Sequence, residues 1–122
     1  MIIGVGTDII EIDRVSRAIQ NEHFIKKNFT DEEIKYCENR KINKAASYAV
    51  RFAGKEAFFK AIGTGIICSL TCVEILNDDR GCPYIKLHEK AIDLTKNLNA
   101  KNFFISLSHS KNYAVANCII EN

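Results

Sequence analysis

The stretch Arg51-Phe52-Ala53-Gly54-Lys55-Glu56-Ala57-Phe58-Phe59-Lys60 reads as helix. Phe52, Glu56 and Lys60 follow one another at i, i+4 and so stack along one face. Lys55 with Phe59, and Phe58 with Ile62, fall on neighbouring faces and give the segment apolar surface to bury. A carboxylate one turn before an ammonium, on so apolar a helix, has two readings. One is an ordinary Glu–Lys surface pair, worth about 0.2–0.5 kcal/mol. The other is a carboxylate that holds a metal beside a lysine facing the same phosphate. Spacing alone leaves both open.

Working outward, Asn43 is the expected N-cap of a long helix from Lys44 to Ile62, and Gly63 its left-handed stop. Gly63-Thr64-Gly65 follows at a helix C-terminus, where the dipole disfavours phosphate, and it lacks P-loop or dinucleotide spacing. Upstream, Thr30-Asp31-Glu32-Glu33 is a capping box opening a helix to about Arg40. Asp13 is expected to cap a shorter helix in which Arg14 and Arg17 share a face, followed by Lys26 and Lys27. Ile2 to Ile12 reads as a strand, with Gly4 and Gly6 permitting close backbone approach. Within it Asp8 sits among Val5, Ile9 and Ile10. It is either a turn or cap residue, or a partly buried carboxylate that needs a cation, and so a metal-ligand candidate.

Downstream, Leu70 to Leu76 reads as a strand and Asn77 to Gly81 as a turn. A second strand begins at Pro83, where the missing N–H costs least. Glu89 to Leu98 has helical periodicity. Phe103 to Ser108 and Tyr113 to Ile120 are strands joined by the loop His109-Ser110-Lys111-Asn112. The expected fold is a single α+β domain spanning residues 1–122, with a mainly antiparallel sheet packed on the long central helix.

Composition narrows the class. A chain of 122 residues, 47% apolar and 26% charged, is globular and just long enough to close a modest core. No apolar run approaches the ~18 residues of a membrane span. The N-terminus enters a strand with no basic leader or cleavage pattern, which points to the cytoplasm. Five cysteines, odd in number and without zinc spacing, read as reduced thiols of a reducing compartment. The formal charge is only +2, yet Lys35, Arg40, Lys41, Lys44, Arg51, Lys55 and Lys60 face only Glu38 and Glu56, a local excess of five. Such a run is a solvated helix face, or it meets a phosphate-rich ligand or an acidic protein.

Three stretches carry a resemblance. Gly4-Val5-Gly6-Thr7-Asp8-Ile9-Ile10-Glu11-Ile12-Asp13-Arg14, the segment Arg51 to Ala61 continuing through Gly63-Thr64-Gly65, and Ser106-Leu107-Ser108-His109-Ser110 followed by Tyr113-Ala114-Val115-Ala116 resemble, in order, the motifs of the holo-[acyl-carrier-protein] synthase family of 4′-phosphopantetheinyl transferases. Ser110 stands where that family often has threonine, and Asn21 to Asn43 matches only loosely. The resemblance implies that family's fold, in the short bacterial form. It implies an enzyme of fatty acid and lipid metabolism that transfers 4′-phosphopantetheine from coenzyme A to a serine of apo-acyl carrier protein, releasing adenosine 3′,5′-bisphosphate.

By the same resemblance, Asp8 and Glu56 hold Mg²⁺, and Lys60 faces the diphosphate, neutralising the leaving phosphate or giving it a proton. The serine proton goes to a water near Glu56 or the metal, or is lost through direct metal activation; the sequence leaves these routes open. Arg51 and His109 are implied contacts of the 3′-phosphate of coenzyme A, supported by Lys44. Ser110 keeps the hydroxyl of the hairpin motif, and Gly63, Thr64 and Gly65 lie near the adenine. Arg14, Arg17 and Lys26 or Lys27 form a basic edge for the acidic carrier protein. A homotrimer with active sites at subunit interfaces is implied, with no membrane or nucleic-acid partner. Two other classes compete. A coenzyme A- or nucleotide-binding module without transferase activity should lack the paired acids. An RNA-binding protein should show exposed aromatics interleaved with the basic residues on a sheet.

Overall fold

A computed structural model describes residues 1–122. The chain runs β1 (Ile2–Glu11), α1 (Ile12–Ala18), α2 (Glu22–Asn28), α3 (Asp31–Glu38), α4 (Lys44–Ile62), β2 (Val73–Asn77), β3 (Pro83–Leu87), α5 (Lys90–Asn97), β4 (Asn102–His109) and β5 (Tyr113–Glu121). All strand pairs are antiparallel, in a three-stranded sheet of order β1-β5-β4 and a separate β2-β3 hairpin. No helix is long and apolar enough to cross a membrane.

The α+β fold and the central helix stand as expected. α4 ends on Gly63, whose φ of 85° is a left-handed cap. It lies along the three-stranded sheet and buries Ala53, Ala57, Phe58 and Phe59 against Ala116, Cys118 and Ile120 of β5. The approach to β1 is backbone to backbone. A Cβ on Gly6 would stand 2.0 Å from the Ala57 carbonyl oxygen, and one on Gly4 2.0 Å from that of Ala61. Gly6→Ala is therefore expected to destabilise by about 1–3 kcal/mol or more, since only backbone movement relieves the clash. Chemical denaturation would show it as a lower midpoint at unchanged slope.

Four local expectations change in whole or in part. Asp13 lies inside the first turn of α1, whose N-cap is Glu11, without a side-chain cap bond. Asn43 stands at the N-cap position of α4 as expected, but as the end of a 3₁₀ turn over Lys41–Asn43 and without a side-chain cap bond. α2 appears where no helix was expected, capped by Asn21 accepting from the His23 N–H at 2.9 Å. Leu70–Cys72 is a 3₁₀ turn rather than strand, because Lys55 Nζ draws the Leu70 and Val73 carbonyls to one point.

The capping box at Thr30 and Glu33 forms as expected. Glu33 does more than cap: it is fully buried and accepts from Lys55 Nζ at 2.8 Å and from the Ile75 N–H at 2.9 Å. The basic run from Lys35 to Lys60 is thus not one solvated face, since Arg51 and Lys55 are both buried.

On β1 the residues alternate. Gly4, Gly6 and Asp8 face α4, while Val5, Thr7 and Ile9 face away. The cross-strand register extends the outward face as rows Val5–Ile119–Phe104, Thr7–Asn117–Ser106 and Ile9–Val115–Ser108. Val5, Ile9 and Phe104 are 61%, 62% and 53% exposed, so half of this sheet surface is apolar and uncovered.

Candidate active site

Asp8, Glu56 and Lys60 come together where β1 crosses α4. Asp8 is 8% exposed and its Oδ1 accepts from Lys60 Nζ at 2.9 Å. The same ammonium also reaches the Thr7 carbonyl at 3.1 Å, yet 56% of the lysine side chain stays exposed. Lys60 therefore pairs with the strand carboxylate, not with Glu56 one turn away. Glu56 lies close enough to Asp8 to feel its charge. Burial first, then the neighbouring Asp8 carboxylate, raise the Glu56 carboxyl above its ordinary range, while Lys60 and Arg14 pull it back down.

Two adjoining carboxylates with one half-exposed lysine form a hard-oxygen donor set with charge to spare. No group of three or more His, Cys, Asp or Glu could hold a metal here. Two carboxylates nonetheless suit magnesium, which completes its shell with water and phosphate oxygens. Carboxylate and water donors suit hard ions such as magnesium, calcium or manganese rather than soft, thiolate-bound ones.

Arg51 and His109 meet at a second place, a cavity of about 210 Å³ also lined by Tyr36, Arg40, Ser47 and Asn77. Arg51 is 2% exposed. Its guanidinium donates to the Ser47 Oγ at 3.1 Å and to Asn77 Oδ1, and it lies 4.2 Å from the centre of the Tyr36 ring. Tyr36, Ser47 and Asn77 were not foreseen; only the contact with Arg51 marks them, and they come from three separate elements.

These two clusters sit apart. At about 100° per residue, Arg51 and Lys60 project from nearly opposite sides of α4. Asp8 is on β1 and His109 on β4, with β5 between them. The remaining candidates divide. Gly63, Thr64 and Gly65 follow directly on the Lys60 end of α4, roughly 18 Å of helix from Arg51. Ser110 is exposed and its hydroxyl accepts from the Tyr113 N–H at 3.3 Å within the hairpin loop. Lys44 does not line the Arg51 cavity; it pairs with Glu38 at 3.2 Å, beside the α1–α2 groove. Arg14 and Arg17 are exposed on α1, and Arg14 is close enough to lower the Glu56 pKa. Lys26 is exposed and loosely paired with Glu22 at 3.6 Å.

A half-open carboxylate pair with a lysine, and a separate buried guanidinium, have the chemistry to serve a phosphate ester through charge and position. The sequence profile of the 4′-phosphopantetheinyl transferase superfamily matches residues 4–118, and the chain belongs to that family. It is 49% identical over 120 residues to the holo-[acyl-carrier-protein] synthase of Ruminiclostridium cellulolyticum, covering 95% of this chain and 90% of that one. Among solved structures, the holo-[acyl-carrier-protein] synthase of Neisseria meningitidis superposes with a TM-score of 0.92 at 28% identity, covering 100% of both chains. The Helicobacter pylori holo-[acyl-carrier-protein] synthase, solved in complex with coenzyme A, gives 0.84 at 26% identity, covering 96% of this chain and 99% of that one.

Proposed function

We propose that this chain is the enzyme that transfers the 4′-phosphopantetheine arm of coenzyme A to a serine hydroxyl of apo-acyl carrier protein. The serine oxygen gives up its proton to a water beside Glu56 and bonds to the phosphorus that carries the pantetheine. The phosphoanhydride bond to the nucleotide breaks, and adenosine 3′,5′-bisphosphate leaves. The observation that carries this reading is the Asp8–Glu56 carboxylate pair beside the half-exposed Lys60, in a chain of this family.

Asp8 and Glu56 would hold magnesium, which supplies positive charge against the diphosphate. Lys60, anchored by Asp8 and Thr7 but open to solvent, neutralises the phosphate that leaves or gives it a proton. The binding-module alternative gains nothing here, because a bare nucleotide site has no use for two carboxylates pressed together. Arg51 and His109 receive the 3′-phosphate, and Gly63-Thr64-Gly65 runs by the adenine from a neighbouring copy of the chain, since within one chain roughly 18 Å of helix separates them. The free thiols of all five cysteines fit a cytoplasmic enzyme of fatty acid synthesis.

The test is intact-mass spectrometry of apo-acyl carrier protein incubated with this chain, coenzyme A and magnesium, with an EDTA control. A gain of one phosphopantetheine arm that EDTA abolishes is expected. No gain from a folded chain that still binds coenzyme A would leave the binding module in its place.

A homotrimer with shared active sites is supported by two features. The uncovered apolar sheet face needs a partner, and the carboxylate and guanidinium clusters occupy opposite edges of one chain. One coenzyme A can bridge them most simply if each cluster faces the other across a subunit boundary. Val5→Glu combined with Ile9→Glu should give monomers by light scattering and abolish transfer together. Active monomers would refute the shared site.

Arg14 and Arg17 present the carrier protein with positive charge near the carboxylates. Since Arg14 also acts on Glu56, Arg17→Glu is the cleaner probe. It should raise the carrier-protein KM several-fold, most strongly at low salt, and leave the coenzyme A KM alone. An unchanged carrier-protein KM would remove Arg17 from the docking edge.

A further inference from the structure

Arg51 is a buried cation without an anion. Its guanidinium is within ion-pair reach of no carboxylate, since the five ion pairs of the chain involve other residues. Its Nε is buried with no hydrogen-bond partner at all. Burial of a cation is costly unless something compensates it. Here the compensation is only partial and wholly neutral: the Ser47 hydroxyl, the Ser47 carbonyl at 3.4 Å, the Asn77 side-chain oxygen, and the face of Tyr36. These groups hold the guanidinium in place and leave its charge unspent.

The choice of an amide at position 77 is informative. Asn77 is the last residue of β2, and its side chain is fully committed. Oδ1 accepts from Arg51, and Nδ2 donates to the Gly81 carbonyl at 2.9 Å across the turn into β3. The amide thus ties the hairpin turn to the guanidinium. An aspartate would hold Arg51 as firmly, but would cancel its charge and leave the Gly81 carbonyl without its donor. We infer that Asn77 is a positioning residue for nucleotide recognition: it fixes Arg51 in the cavity with Tyr36 and His109 while keeping the guanidinium charge free for the 3′-phosphate. This rests on the proposed contact between Arg51 and that phosphate. It assigns part of the selectivity for a 3′-phosphorylated nucleotide to a residue that acts through Arg51.

The experiment compares kcat/KM for coenzyme A and for 3′-dephospho-coenzyme A in the full chain and four variants. The ratio of the two values isolates what the 3′-phosphate contributes, and general loss of stability does not move it. Asn77→Ala should lower the ratio by about tenfold, the scale expected when a charge-assisted bond or an orienting partner is lost. The fall should lie in kcat/KM for coenzyme A, with the dephospho form changed less than about twofold.

Asn77→Asp, which keeps the acceptor and so serves if the alanine variant fails to fold, should lower the ratio as far, because the carboxylate cancels the charge. Asp78→Ala loosens the same turn by removing the acceptor of the Arg80 and Cys82 N–H groups, without touching Arg51. It should leave the ratio unchanged. Arg51→Gln, which removes the charge, tests the underlying reading. If it leaves the ratio intact, the 3′-phosphate does not bind at Arg51, and that reading fails. If Arg51→Gln collapses the ratio but both folded Asn77 variants preserve it, the role of Asn77 is overturned while the reading stands.

Discussion

Replacing Lys55 by methionine is expected to lower stability by about 3–5 kcal/mol, a large share of the ~5–15 kcal/mol that holds a domain together. The side chain is 0% exposed, and its ammonium has a full complement of partners: Glu33 Oε1 at 2.8 Å and the carbonyls of Leu70 and Val73 at 2.9 and 2.8 Å. Burial pushes the Lys55 pKa down and the Glu33 carboxylate pulls it back up, so the lysine depends on its partner to stay charged. Methionine fills similar volume, so the loss is electrostatic rather than a cavity. Glu33 would remain buried with only the Thr30 and Ile75 N–H groups to satisfy it. Thermal melting should fall by on the order of 10–20 °C. The double variant Glu33→Leu with Lys55→Met, which buries no charge, should recover part of that loss. A single Lys55→Met chain that melts within a few degrees of the parent would show that the pair contributes little.

That pair also shows where the sequence stops being legible. α4 could be bounded from its residues because the signals are local: an apolar period along the helix and Gly63 at its end. The capping box at Thr30 was legible for the same reason, since its two residues are three apart. The second role of Glu33 was not, because its partner Lys55 is 22 residues away and nothing near either position announces a buried charge. The same ion pair turned Leu70–Cys72 from expected strand into 3₁₀ turn, overriding local preference through two carbonyls.

The candidate site divides along the same line. Asp8, Glu56 and Lys60 were brought forward by motif resemblance and periodicity, and one strand crossing one helix brings them together. The cradle of Arg51 draws on α3, α4 and the end of β2, so Tyr36, Ser47 and Asn77 carry no shared sequence signal. Lys44 looked like a phosphate contact because it stands in a basic run. A run counts charges along the chain and cannot tell which are already paired, as Lys44 is with Glu38.

Glu56→Gln should fold, lose at least about a hundredfold in transfer, and melt higher than the parent in EDTA at neutral pH. The reasons are one and the same. Glu56 is partly buried near Asp8, and without a metal ion the two carboxylates repel more than Lys60 offsets. The amide keeps the shape while removing the charge that binds metal. Because the folded-state pKa of Glu56 is raised, the folded chain binds more protons than the unfolded one between the two pKa values. Its contribution to stability is fully present below the ordinary glutamate pKa and is lost as pH rises through the raised value. In EDTA, the difference in stability between parent and variant should therefore grow as pH rises toward neutrality, which separates Glu56 from carboxylates common to both chains. Magnesium should reverse the order by stabilising the parent through mass action and the variant little. Equal magnesium-induced shifts in the two chains, or full transfer by Glu56→Gln, would strip Glu56 of its role as a metal ligand.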